Sequence, residues 1–296
     1  MSGADTQAWT IGRLLNWTKQ FFADKGVDSP RLAAEMLLAH TLGCRKIDLY
    51  ARFDRAVGDE PRAAFRALVR AAADHTPVAY LLGEKEFFSL PLNVSPAVLI
   101  PRPETETLVD RVLRAIAQAG DEQTARVLDL CTGSGCVAVA IAAHSPEAEV
   151  VAVDLAADAL AVASENVARH DLGGQITLRA GDLYEALEDG DGPFDHITAN
   201  PPYVAEAELA ALPLTVRAHE PTVALVAGPT GLEVIRRVVA GAPQHLVAGG
   251  TLWLEVGFDQ AEAVIKIMDA DGRFDVPVTH RDALGHRRVV SAARKE

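Results

Sequence analysis

Positive charge is in short supply in this sequence: 28 Lys and Arg face 41 Asp and Glu, for a formal net charge of −13. Such a balance argues against gripping a nucleic-acid backbone through a broad electrostatic footprint, which needs a basic face. Cysteine is scarce too. Cys44, Cys131 and Cys136 are too few for a disulfide framework. Neither they nor the nine histidines show pairs at metal-ligand spacing, so no metal site is expected. No apolar run approaches the ~18 residues of a spanning helix. The first five residues carry no basic segment followed by an apolar core, so neither a membrane span nor a secretory signal is expected. Long polar tracts are missing as well, and 49% of the residues are hydrophobic, which excludes a mostly disordered chain. What remains is a cytoplasmic protein of a reducing compartment. Its 296 residues suit one large domain or two unequal ones.

The acid that is present is unevenly spread. Residues 1–90 hold 12 Lys and Arg against 11 Asp and Glu, and residues 91–296 hold 16 against 30, giving about +1 and −14. Two domains with different surfaces are expected. The first reads as helical. Thr10 is placed to cap a helix carrying Ile11, Leu14, Leu15, Thr18, Phe21 and Phe22, with Gly26 beyond its end. Ser29 before Pro30 predicts a second cap, with Leu32, Met36, Leu37 and Leu42 as the apolar stripe. Asp59 and Pro61 open a third helix containing Phe65, Leu68, Val69 and Ala72. The segment from Glu84 to Val94 predicts a hairpin linking the two regions.

From about residue 125 short apolar runs alternate with helical stretches. Strands are expected at 126–130, 150–153, 176–178, 194–198 and 251–256, with helices at 137–143, 156–169 and 231–246. That alternation predicts a parallel, doubly wound α/β sheet. The tail, with Phe274 to Val278 and Arg288 to Ser291, predicts a closing hairpin.

Asp129 to Gly135, reading DLCTGSG, follows the first of these strands and opens a helix. Gly133 and Gly135 permit a tight turn and close approach of a ligand to the backbone. Nineteen residues beyond Gly135, Asp154 ends the second strand, where a carboxylate accepts from the two hydroxyls of a ribose. Asp182 and Leu183 follow the third strand, where an acid suits the exocyclic amino group of an adenine or caps a turn. The combination favours S-adenosylmethionine over a nicotinamide cofactor. Asn200-Pro201-Pro202-Tyr203 directly follows the fourth strand. Consecutive prolines remove two N–H donors and leave nearby carbonyls free to accept. An NH₂ group presents two donors, one for the Asn200 side-chain oxygen and one for the Pro201 carbonyl, while Tyr203 walls the site.

Four segments together, Ile100 to Glu106 (IPRPETE), DLCTGSG, NPPY and His219-Glu220-Pro221, resemble the protein-(glutamine-N5) methyltransferases of peptide chain release factors, the PrmC/HemK family. The likeness continues through Leu254 to Ala261 and Asp282 to Arg288. It implies a Rossmann-like, seven-stranded class I methyltransferase domain over 102–296, a hairpin linker over 84–101, and a small helical domain over 1–83. That small domain serves substrate recognition or only stability. The resemblance implies transfer of a methyl group from S-adenosylmethionine to the glutamine of a Gly-Gly-Gln motif. Cys131, Thr132, Gly133, Ser134 and Gly135 would line the cofactor, Asp154 would hold its ribose, and Asp182 and Leu183 would flank its adenine. Asn200, Pro201, Pro202 and Tyr203 would grip the glutamine, with Asn200, Pro201 and Tyr203 in the catalytic role and Asn200 also beside the cofactor. Cys131 stands where the family usually has Gly. Arg102, Glu104 and Glu106 either order a lid or favour a helix start, and residues 204–218 are expected to be mobile. The implied partner is a release factor, with no direct nucleic acid and no membrane, and the chain is expected to act as a monomer. Methylation of a ribosomal-protein glutamine or of a nucleic-acid amino group are the alternatives.

Overall fold

The computed structural model describes residues 8–120 and 124–296. The chain divides into two compact units, Met1–Gly83 with Leu214–His219, and Glu84–Pro213 with Glu220–Glu296.

In the first unit the apolar spacings close into helices α1 (Ile11–Lys25), α2 (Pro30–Thr41), α3 (Lys46–Ala51), α4 (Asp59–Ala73) and α5 (Val78–Leu82). Thr10 caps α1, its hydroxyl accepting from the Arg13 amide at 3.3 Å. Gly26 ends it in the left-handed region at φ 69°. Phe22, Leu37, Leu38, Leu49, Phe65 and Val69 form one core. Two expectations shift. Ser29 makes no side-chain cap, because it sits at φ 46° with its hydroxyl unused by the helix. Pro30 has no N–H to satisfy, so the helix starts without one. The buried face of α2 is Ala33, Ala34, Leu37 and Leu38, while Leu32 is 44% exposed. The small alanines let a neighbouring helix approach more closely than a leucine face would. The short helices α3 and α5 were not expected, since six and five residues are too few to show a period.

The second unit opens with the expected hairpin, β1 (Glu84–Phe87) and β2 (Leu90–Asn93), paired from Glu84↔Asn93 to Phe87↔Leu90. Phe88 and Ser89 both take positive φ, the geometry of a two-residue turn that matches strand twist. Helix α6 (Glu106–Ala119) precedes an alternating series: β3 (Arg126–Leu130), α7 (Cys136–His144), β4 (Glu149–Asp154), α8 (Ala157–Arg169), β5 (Ile176–Ala180) and β6 (Phe194–Ala199). The single helical turn α9 (Leu214–Arg217) groups with the first unit, and the second continues with α10 (Glu233–His245), β7 (Leu246–Glu255), α11 (Ala261–Asp271), β8 (Val278–Arg281) and β9 (Arg287–Ala293). The seven-stranded sheet runs β5-β4-β3-β6-β7-β9-β8. Its first five strands pair in parallel and the last two join antiparallel.

Both faces of the sheet are covered, and the strands show it residue by residue. Leu128, Leu252 and Leu254 join the side holding α10 and α11, whereas Val127 and Trp253 join the side holding α6 and α7. Period-two alternation therefore carries apolar side chains in both directions, as in a sheet sandwiched between helices. The tail hairpin forms, but its first strand starts at Val278 rather than Phe274. Pro277 offers no N–H to a ladder, and Phe274 makes only an isolated bridge to Arg294.

The chain runs outward from β3 through β4 to β5, then returns to lay β6 on the other side of β3. This reversal leaves a crevice at the carboxyl ends of β3 and β6, where open α/β sheets take their ligands. Leu128, fully buried in the core beneath that crevice, sets a test of the packing. Leu128→Ala is expected to cost about 2–5 kcal/mol, read as a lowered urea midpoint; an unchanged midpoint contradicts it.

Candidate active site

A cavity of ≈ 220 Å³ occupies the crevice. The turn after β3 forms its floor. Cys131, Gly133 and Gly135 all adopt left-handed φ, at 58°, 56° and 77°. Gly133 lines the cavity, and a Cβ there would meet nothing within 4 Å. Gly135 lies off the cavity and serves packing, since a Cβ would press on Ala163 of α8 at 3.2 Å. Cys131, Thr132 and Ser134 line the cavity as well. The Cys131 thiol also packs against the sheet core, and burial beside Asp154, Asp129 and Asp182 pushes it far from ionising.

Two carboxylates brace this turn. Asp154, at the end of β4, accepts the Gly133 amide at 2.8 Å through one oxygen and the Ala156 amide at 2.9 Å through the other. Each oxygen retains a second lone pair that can accept from a ligand. Asp129, buried at the end of β3, accepts hydroxyl protons from Thr132 at 2.6 Å and Thr198 at 2.7 Å. One carboxylate thus couples the turn to β4, the other to β6.

Asp182 and Leu183 also line the cavity, but Asp182 is already ion-paired with Arg237 of α10 at 2.9 Å. In the tetrapeptide after β6, Asn200 and Pro202 line the cavity, whereas Pro201 is buried behind it. Tyr203 packs on the sheet core, and Gln260 donates to its carbonyl at 2.9 Å. Burial and the nearby Glu255 push the Tyr203 phenol up to about 12. The Asn200 side-chain NH₂ donates to the Thr105 hydroxyl oxygen at 3.2 Å, which turns the amide oxygen the other way.

The upper wall brings together segments that sequence spacing leaves far apart. Arg102 reaches Glu220 at 2.5 Å, and Glu220 also accepts the Ile100 amide at 3.1 Å. The two loops carrying these residues, with Pro101, Thr105, Pro221 and Val223, enclose the cavity. Glu106 accepts the Phe88 amide at 3.0 Å, so it ties the hairpin turn to the start of α6. Residues 206–211 form a 3₁₀ turn before α9. Thr105, Arg237 and Glu255 were missed as site residues by sequence reasoning. Thr105 lies inside the IPRPETE segment, where its spacing does not distinguish a site hydroxyl from a helix start. A carboxylate inside the apolar run TLWLEV was the available signal for Glu255. Among the described residues, no group of three or more His, Cys, Asp and Glu is placed to hold a metal ion. No helix among them is long and apolar enough to cross a membrane.

A glycine turn, an acidic β4 terminus and an Asn-Pro-Pro loop at one edge of this seven-stranded sheet define a class I methyltransferase. The same fold is seen in the hMettl16 catalytic domain solved with an MAT2A 3′UTR hairpin, at TM-score 0.57 and 16% identity over 93% of this chain and 90% of that one. It is seen again in a methyltransferase from Pyrococcus furiosus, at TM-score 0.50 and 17% identity over 81% and 100%. Residues 13–83 match the PrmC N-terminal domain family, and residues 105–216 the methyltransferase small domain family. The release factor glutamine methyltransferases of Rhodopirellula baltica and Geobacter sulfurreducens are each 43% identical over 96% of both chains. That of Nitratidesulfovibrio vulgaris is 37% identical over 99% of this chain and 98% of its own. The chain belongs to the release factor glutamine methyltransferase family.

The buried acid beneath the site has a measurable consequence. Burial pushes the Asp129 carboxyl up to about 6, against the pull of the two threonine hydroxyls. A carboxyl raised on folding adds stability below its unfolded value of about 4 and loses it as pH rises through the folded value. Asp129→Asn cannot ionise, so it is expected to gain on the wild type by on the order of 1–3 kcal/mol between pH 4 and 7. Urea midpoints across that range provide the check, and a constant difference between the two proteins contradicts the assignment.

Proposed function

We propose that the chain methylates the side-chain nitrogen of the glutamine in the Gly-Gly-Gln motif of peptide chain release factors, using S-adenosylmethionine. The charge of the cavity carries the choice of cofactor. Asp129, Asp154 and Asp182 line it, and its two arginines are already engaged, Arg102 by Glu220 and Arg237 by Asp182. Among the described residues that line it, no unpaired cation faces a pyrophosphate, whereas hydroxyls, an amino group and a positive centre all suit these acceptors. When bound, S-adenosylmethionine supplies an electrophilic methyl group on a sulfonium.

The residues that would hold it are those of the turn, Cys131 to Gly135, with Asp154 toward the ribose hydroxyls and Asp182 and Leu183 toward the adenine. Asn200 accepts one N–H of the substrate amide on its side-chain oxygen, and the Pro201 carbonyl accepts the other. Pro201 and Pro202 carry no N–H to compete. Pro202 confines the amide plane, and Tyr203 backs the loop from the sheet core. The amide nitrogen is a poor nucleophile because its lone pair is delocalised into its carbonyl. Held by both hydrogens, it turns that lone pair toward the methyl carbon. Positioning in a preorganised polar site supplies the acceleration, and the proton leaves after transfer.

The names of the relatives favour a release factor over a ribosomal protein or a nucleic-acid base as substrate. The net charge of about −14 over residues 91–296 also opposes duplex binding. We assign recognition of the whole factor to the helical N-terminal domain, 1–83, with 84–101 as hairpin linker and 102–296 as catalytic domain. In support, Trp17, Ile47 and Tyr50 expose 52%, 64% and 42% of their surface. We place the enzyme in the cytoplasm, as a monomer.

Incubation with labelled S-adenosylmethionine and purified release factor, followed by mass spectrometry, tests the reaction; label on any residue other than that glutamine overturns it. Asn200→Ala is expected to lower kcat by on the order of 10²–10³-fold, as loss of one oriented polar group does, with cofactor affinity nearly unchanged. Asp154→Ala is expected to weaken cofactor binding by about 1.5–3 kcal/mol in calorimetry, the worth of a charged hydrogen bond. An undiminished affinity removes Asp154 from the cofactor site.

A further inference from the structure

The proposed chemistry demands that Asn200 show its oxygen, not its NH₂, to the substrate, since an NH₂ facing an NH₂ places donor against donor. Nothing intrinsic to an asparagine amide chooses between those orientations, because its two ends are nearly the same shape. We propose that Thr105 and Glu255 are positioning residues that make this choice: the Glu255 carboxylate takes the Thr105 hydroxyl proton, which leaves the Thr105 oxygen able only to accept from Asn200. The proposal rests on the reading of Asn200 as the group that grips the glutamine amide.

Strand register first brings these residues to one level. Ala199 of β6 pairs in parallel with Leu254 of β7, so the next residues, Asn200 and Glu255, emerge side by side. Thr105 then arrives from the segment before α6, whose Leu108, Val109 and Val112 pack with Trp253 of β7. Thr105 precedes α6, where a threonine hydroxyl ordinarily caps the helix. Here it makes no cap bond. Instead it is 1% exposed and accepts from Asn200, which leaves its own proton for the Glu255 carboxylate that neighbours it.

Glu255 is itself 1% exposed, and its Oε2 has no hydrogen-bond partner. A buried carboxyl with an idle oxygen is costly to keep for packing alone. The groups facing it are Thr105, Arg102 and Glu104 from the segment before α6, Arg288 from β9, and Tyr203 from the loop after β6. Burial pushes its carboxyl up to about 7, and the nearby Thr105 hydroxyl pulls it back. A hydroxyl has one proton to give. Once that proton is committed to an acceptor, the hydroxyl oxygen becomes a stronger acceptor in turn, and the polarisation passes along the chain to the Asn200 carbonyl.

The test uses full-length enzyme with whole release factor. Thr105→Val and Glu255→Leu are each expected to lower kcat by roughly 10–100-fold, while S-adenosylmethionine affinity and KM for the factor stay within about threefold. Combining them is expected to add no further loss, because either break frees the same amide. Thr105→Ser and Glu255→Gln, which restore the hydroxyl and an acceptor, are expected to return most of the rate. A second readout does not need turnover. The Asn200 side-chain amide protons are expected to exchange slowly in the wild type by NMR, and several-fold faster in Thr105→Val. Wild-type kcat in Thr105→Val, multiplying losses in the double variant, or equal exchange in both proteins overturns the proposal. Asn200→Ala in the same assay separates the two readings. Full activity there defeats the role of Asn200 itself, whereas an inactive Asn200→Ala beside an active Thr105→Val defeats only the relay.

Discussion

Carboxylates satisfied by uncharged donors hold the ligand edge of this sheet together. Asp129 takes two threonine hydroxyls, from the turn after β3 and from β6. Asp154 takes two backbone amides, one from that same turn and one from the start of the next segment. The left-handed residues of the turn are affordable only because these bonds oppose the cost of their backbone geometry. The acidity of the sequence is thus partly structural.

The same economy explains the electrostatics of the cavity. Buried acids without buried cations make a site that repels anions and welcomes donors and positive charge. Both arginines at its wall are neutralised by carboxylates, one of them the fully buried Glu220. The Arg102–Glu220 pair also joins two loops 118 residues apart in sequence, so charge and enclosure are set by one contact.

Much of the fold was legible because its signals are local. Thr10, Gly26, the hairpin residues and the strand-helix alternation each state a backbone preference within a few residues. The glycine turn, Asp154 and the Asn-Pro-Pro tetrapeptide were legible for the same reason, each following directly on an apolar strand. Illegible were the short helices α3 and α5, the buried face of α2, and the start of β8, which depend on neighbours. Within the site, Pro201 and Tyr203 lie off the cavity that Asn200 and Pro202 line. A motif names its residues but not the direction in which each side chain leaves the backbone.

By itself the sequence determined the class of fold and the chemistry on offer: a helical portion, a doubly wound sheet, a backbone turn for a ligand and an amide acceptor beside it. Those follow from periodicity and from the fixed preferences of glycine and proline. Only the tertiary structure decided which groups meet. It set Glu255 level with Asn200 through strand register, carried Thr105 between them, committed Asp182 to Arg237 and closed Arg102 on Glu220. Such meetings depend on how strands pair and helices pack across long stretches of chain, and no local preference encodes them.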